Sequence, residues 1–200
     1  MQSQKHAGIV FNSAEDKGLF IFVDTGLETD TFTGIVAIHG GAVIKMSCLR
    51  QKFASLSTYS AELAGMSEGI KMALELQAKL KDAGDLVGTV TVFGDNKAAV
   101  QELQEGAPEK VAPKARHHRL RLFWAKQVIQ AGLIECQWIS TTKMLADVAT
   151  KPLGKELWNQ LVPQIMGTAP IEALEGLPTV TEMYGPSHAT AAGGKRKTTQ

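Results

Sequence analysis

Residues 91–99 read TVFGDNKAA. The apolar run around Val90, Val92 and Phe93 has the length and composition of a short buried strand. It stops at Gly94-Asp95-Asn96, and Lys97-Ala98-Ala99-Val100 then opens a helical pattern. Asp95 therefore falls at the C-terminal tip of a strand, where open α/β sheets place their ligands. On capping preference alone, an Asp at such a junction is more often an N-cap than a catalyst. What raises its standing is three more acids at comparable positions: Asp24, Glu62 and Asp147.

Upstream, Leu19-Phe20-Ile21-Phe22-Val23 is a continuous apolar run ending in Asp24, as expected of a central strand covered on both faces. Two further strands follow, Thr33–His39 and Ala42–Cys48, split by the hairpin signal Gly40-Gly41. Ser57 or Thr58 opens a long helix reaching about Leu80, with Tyr59, Leu63, Met66, Ile70 and Leu74 as its expected buried stripe. Glu62 lies beside that stripe, in line with Gly65 and Gly69. Each mid-helix glycine costs about 1 kcal/mol against alanine. It is either a place where the helix backbone approaches a sheet or ligand, or a tolerated defect.

Downstream of Asp95, a short helix spans Asn96–Gln104 and a second long one Lys114–Ala131, with core positions expected at Leu120, Trp124, Val128 and Ala131. Leu133–Ile139 is a fifth strand. Ser140-Thr141-Thr142 is a capping cluster, so Asp147 falls in a short helix closed by Lys151-Pro152. A hairpin sheet extended by crossover strands gives an α/β fold: a mixed five-stranded sheet with helices on its faces.

The chain has 200 residues, 44% of them hydrophobic, enough for one core with tails. A net charge of +1 gives no global pull toward nucleic acid or membrane. No apolar run approaches membrane-spanning length and the N-terminus lacks signal-peptide order, so an intracellular protein is expected. Cys48 and Cys136 have no ligand-spaced partners and read as buried free thiols. Residues 1–17 are a mixed polar extension in which Ile9-Val10-Phe11 could form a short strand or a tether onto the core.

If the strands ending in Asp24 and Asp95 are adjacent and parallel, and both acid-bearing helices dock over their ends, four carboxylates converge. Hard divalent cations suit such a cluster, and Mg²⁺ accepts carboxylates together with waters and phosphate oxygens. Without metal, mutual repulsion should raise some of the carboxyl pKa values. Two ions a few ångströms apart would support an in-line phosphoryl displacement.

An ordered set of short motifs carries a resemblance. Thr33-Gly34, Gly40-Gly41, Ser47, Gln51, Leu56-Ser57-Thr58, Glu62, Gly94-Asp95-Asn96-Lys97-Ala98-Ala99, Arg116-His117 and, most clearly, Leu145–Leu153 (LADVATKPL) follow in the order of one family. Over residues 18–153 the chain resembles the ribonuclease H domain of copia-type LTR-retrotransposon reverse transcriptase polyproteins. The resemblance implies an RNase H-like fold; beyond it, residues 154–167 read as a short helical extension, and residues 168–200, dominated by Ala, Gly, Thr and Pro, read as a disordered tail. The resemblance also implies hydrolysis of the RNA strand of RNA–DNA hybrids with two Mg²⁺ ions, Mn²⁺ substituting. The partners implied are the hybrid and the polymerase domain of the parent polyprotein, with no membrane, in the cytoplasm (a virus-like particle) or the nucleus.

By position, Asp24 would bridge both metals and Asp147 would help hold the ion on the nucleophile side. Glu62 and Asp95 would hold the ion on the leaving-group side, with Glu62 near the ribose 2′-hydroxyl that distinguishes RNA from DNA. Asn96 falls within the matched motif and would contact nucleic acid. The chain departs from the family where Asp24-Thr25-Gly26 lacks a second acid, and where His117-His118-Arg119-Leu120-Arg121 has a basic residue in an acidic place. No His precedes Asp147 in the loop where many cellular relatives keep one.

Basic residues cluster from Lys110 to Lys126. Lys114, Arg116, Arg119 and Lys126, with Phe123 interleaved, read either as a phosphate-tracking ridge or as a solvated helix face. Two other functions compete with the nuclease. One is a catalytically silent RNase H-like domain kept as a structural or nucleic-acid-docking module. The other, much weaker, is an aspartic protease suggested by Asp24-Thr25-Gly26, whose nearly all-β fold conflicts with the long helix that follows.

Overall fold

A computed structural model of the chain describes residues 8–12, 18–27, 30–51, 57–85, 87–105, 116–179 and 182; the side chains of residues 27 and 116–119 lie outside that description. The strands are β1 (Phe20–Leu27), β2 (Thr31–His39), β3 (Ala42–Arg50), β4 (Val90–Gly94) and β5 (Ile134–Trp138). They form one sheet in the order β3-β2-β1-β4-β5. β1, β2 and β3 form an antiparallel meander, whereas β4 pairs in parallel with β1 on one side and with β5 on the other. The β2–β3 turn uses Gly40 and Gly41 at φ 61° and 75°, the left-handed backbone that a tight hairpin needs.

The helices are α1 (Thr58–Asp82), α2 (Lys97–Gln104), α3 (Arg116–Gln130), α4 (Asp147–Thr150) and α5 (Lys155–Ile165). Alternation along β1 divides the core in two. Ile21 and Val23 face α1, α2 and α3, joined by Met66, Ile70, Val100 and Ala125. Phe20 and Phe22 face the opposite layer, joined by Phe93, Leu145, Leu161 and Ile165. The mixed sheet covered by helices on both faces is the expected one, and it leaves no place for the nearly all-β protease fold.

The glycines of α1 mark close approach. A Cβ on Gly65 would lie 2.5 Å from Thr25 Oγ1, and one on Gly69 would run into Val23 Cγ2. They also rotate the helix away from the expected stripe. Tyr59 is 37% exposed and Leu63 and Leu74 are half-buried, while Glu62, Gly65, Met66, Gly69, Ile70 and Ala73 form the buried line. On α3, Leu120 is 61% exposed, and Ala131, just past the end of the helix, is also exposed. The core face there is Ala125 and Val128, with Leu122, Trp124 and Ile129 packed beside them.

Two other expectations are corrected, and one open alternative is decided. Cys48 is exposed, because β3 is the outer strand of the sheet; Cys136, on β5, is buried. Residues from 168 onward were expected to be disordered, yet a 3-10 turn at Glu172–Leu174 seats Ile171 and Leu174 in the core. Between the two readings of the N-terminal segment, the tether holds: Val10 N–H donates to Met166 O at 2.8 Å and Asn12 N–H to Gly40 O at 2.9 Å.

Candidate metal centre

β1 and β4 end at different heights. Their register runs from Phe20↔Thr91 to Val23↔Gly94, and β1 then continues to Leu27 paired with β2 alone. Asp24 is thus the first residue of β1 without a β4 neighbour, beside the opening where β4 stops. Its partner on β2 is Gly34, and α4 packs against that glycine. A Cβ at 34 would lie 2.6 Å from Thr150 Cγ2 and 2.9 Å from Ala146 O. This approach sets Asp147, Thr150 and Lys151 against Asp24. Thr150 Oγ1 donates to Asp24 Oδ2. Lys151 Nζ donates to Asp24 Oδ1 at 3.1 Å and to Asp147 Oδ1 at 2.8 Å.

Asp95 is the first residue after β4, and it does not cap α2. That task falls to Asn96, whose Oδ1 accepts the Ala99 N–H at 3.1 Å. Asp95 Oδ2 instead accepts from Thr141 Oγ1 at 2.9 Å, and the Asp95 carbonyl accepts from Trp138 Nε1 at 2.8 Å. Glu62, in the second turn of α1, is carried over the same opening by the close packing of Gly65 and Gly69 on β1. One carboxylate oxygen from each of Asp24, Glu62 and Asp95 lies within 4.8 Å of the others. Asp147 adjoins this trio through Lys151.

Asp24, Glu62 and Asp147 are buried. Burial first, then the charges of Asp24 and Asp95, pushes Glu62 up to about 8. The Lys151 charge and the Thr25 hydroxyl pull the other way; that hydroxyl is buried and makes no well-formed hydrogen bond. Burial also raises Asp147, against the opposing hydrogen bond from Lys151. Lys151 itself is held above its ordinary value: burial would lower it, but the hydrogen bond to Asp147 and the charge of Asp24 outweigh that. Repulsion among the acids, the expected cause, is real but second to desolvation.

The donor set fits a hard divalent cation. It is all carboxylate oxygen, and a cation there would offset the cost of ionising these acids away from water.

A central strand antiparallel to one neighbour and parallel to the other, with acids at the C-terminal ends of both parallel strands, is the RNase H-like plan. The chain has an RNase H-like fold. No family model matches the sequence. Among solved structures, the N-terminal RNase H domain of Rv2228c from Mycobacterium tuberculosis aligns with a TM-score of 0.49 at 18% identity, over 76% of this chain and 99% of that one. The LC11-RNase H1 from compost, in complex with an RNA/DNA hybrid, aligns with a TM-score of 0.48 at 18% identity, over 66% and 92%. The foamy viral protease-reverse transcriptase in complex with RNA/DNA hybrid gives 0.48 at 11% identity, over 80% of this chain and 21% of that one.

The expected nucleic-acid contacts fare differently from the acids. Lys126 is not on an exposed ridge. It is 2% exposed, with Nζ 2.8 Å from Glu102 Oε1 on α2. Lys114 lies outside the described residues, as do the side chains of Arg116 and Arg119. Sequence reasoning took Lys151 for a helix terminator and did not single out Trp138 or Thr141 as supports of Asp95. One signal for Lys151 was present: it follows Asp147 by four residues, the spacing at which helical ion pairs form.

Proposed function

We propose that the chain is a metal-dependent ribonuclease H that hydrolyses the RNA strand of RNA–DNA hybrids, from a copia-type reverse transcriptase polyprotein. The observation that carries this reading is the meeting of Asp24, Glu62 and Asp95 at the ends of two parallel strands, with Asp147 alongside. Two divalent ions, Mg²⁺ or Mn²⁺, would supply an activated water and stabilise the departing oxygen. Asp24, Glu62 and Asp95 would hold one ion, and Asp24 with Asp147 the other. Glu62 would also face the ribose 2′-hydroxyl, and Thr141 and Trp138 keep Asp95 aimed at the cluster. Asn96, Lys114, Arg116 and Arg119 remain proposed contacts to the hybrid, which the chain would meet inside the cell beside its polymerase domain.

One observation favours a second reading, a catalytically silent docking module. Lys151 already offsets part of the charge of Asp24 and Asp147 without any metal. Cleavage of a labelled RNA strand in a hybrid, with Mg²⁺ or Mn²⁺ and beside Asp95→Asn, separates the two. Metal-dependent cutting that the substitution abolishes supports the nuclease. A folded protein that binds the hybrid and never cuts it supports the docking module.

A further inference from the structure

The Lys151 ammonium lies 3.1 Å from an oxygen of Asp24 and 2.8 Å from an oxygen of Asp147, both carboxylates being 2% exposed. Magnesium would bind those oxygens at about 2.1 Å, so ammonium and ion cannot both fill the gap. The lysine has a way out. It stands just past the last residue of α4, and its side chain is 37% exposed. The other half of the centre contains Glu62 and Asp95, to which no hydrogen bond from Lys151 runs.

We propose that Lys151 is the resident cation of the Asp24–Asp147 half, so that one divalent ion binds readily between Asp24, Glu62 and Asp95 and a second must displace the lysine. The inference rests on the nuclease reading of the same centre. It makes Lys151 a positioning residue that sets the affinity of the second ion and the metal concentration at which the full centre assembles.

Mn²⁺ alone, titrated into the full chain and counted by electron paramagnetic resonance and calorimetry, tests it. The unsubstituted chain should show one stronger and one weaker step. Lys151→Met should tighten the weaker step about tenfold or more, as removal of a competitor does, and leave the stronger one in place. Adding Asp147→Asn to Lys151→Met should abolish the tightened step, and Lys151→Arg, which keeps the charge, should leave it weak. Should Lys151→Met fail to fold, Lys151→Gln offers a neutral group that can still hydrogen-bond both acids. A second step unchanged or weakened in the neutral variants overturns the proposal while the metal centre stands. Absence of Mn²⁺ from the unsubstituted chain and from the variants alike overturns the nuclease reading and this one with it.

Discussion

Gly69 of α1 lies directly against Val23 of β1, the residue before Asp24, with no room for a side chain between them. The contact fixes the height of α1 over the sheet, and with it the reach of Glu62 two turns earlier. Alanine at an exposed helical glycine would add about 1 kcal/mol. Here overpacking against a stiff β-branched neighbour costs about 1–3 kcal/mol. Gly69→Ala is expected to lower stability by a net ~1 kcal/mol in urea unfolding and to weaken metal binding as Glu62 is lifted. A gain in stability would mean that α1 stands further from the sheet.

Glu62 makes the metal-free protein sensitive to pH. Its folded pKa is raised from 4.5 to about 8, so across that window the unfolded chain releases a proton that the folded chain keeps. The Glu62 contribution to stability is therefore fully present below about 4.5 and is lost as pH rises to about 8. Asp147, also raised, acts in the same direction. The loss should be on the order of a few kcal/mol. Urea midpoints between pH 5 and 8 should decline in chelator, flatten in Glu62→Gln, and flatten again in the unsubstituted chain with saturating Mg²⁺. A level profile in chelator would contradict the burial of this carboxyl.

The acids were legible because each follows an apolar run or opens a helix. Their meeting was not, since it depends on β1 and β4 being neighbours, a long-range pairing that no local spacing encodes. The stripe of α1 was misplaced for a physical reason. Large apolar residues mark a helix face only when contact is made through side chains, and here Gly65 and Gly69 bring the backbone itself to β1. Lys126 was misread because composition near α3 says nothing of Glu102, which reaches it from α2. Lys151 was taken for punctuation because its partner Asp24 is 127 residues away.

Lys126 should behave as a structural cation. With its side chain 3% exposed and Nζ 2.8 Å from Glu102, it fastens α3 to α2. Removing one partner of a buried pair typically costs 3–5 kcal/mol, and since Glu102 is partly exposed we expect Lys126→Ala to cost about 3 kcal/mol. A lysine that contacts phosphate would instead change the salt dependence, lowering the log–log slope of binding by about 1. Hybrid binding by Lys126→Ala, measured at several salt concentrations below its unfolding temperature, should keep the original slope. A reduced slope would return Lys126 to the nucleic-acid surface.

Thr141 holds Asp95 by a single hydroxyl, 2.9 Å from Oδ2, on an exposed 3-10 turn. Because the contact is exposed, Thr141→Val should cost little stability, about 0.5–1 kcal/mol. Its effect on the centre should be larger, because groups that orient a metal-binding carboxylate commonly change affinity about 10–100-fold. We expect half-maximal hybrid cleavage to require about tenfold more Mg²⁺, with most of the rate recovered at saturation. Thr141→Ser, which keeps the hydroxyl, should match the original chain. The two variants share a backbone position and differ in one donor, so equal Mg²⁺ requirements would show that Asp95 is aimed by the Trp138 contact to its carbonyl and not by Thr141.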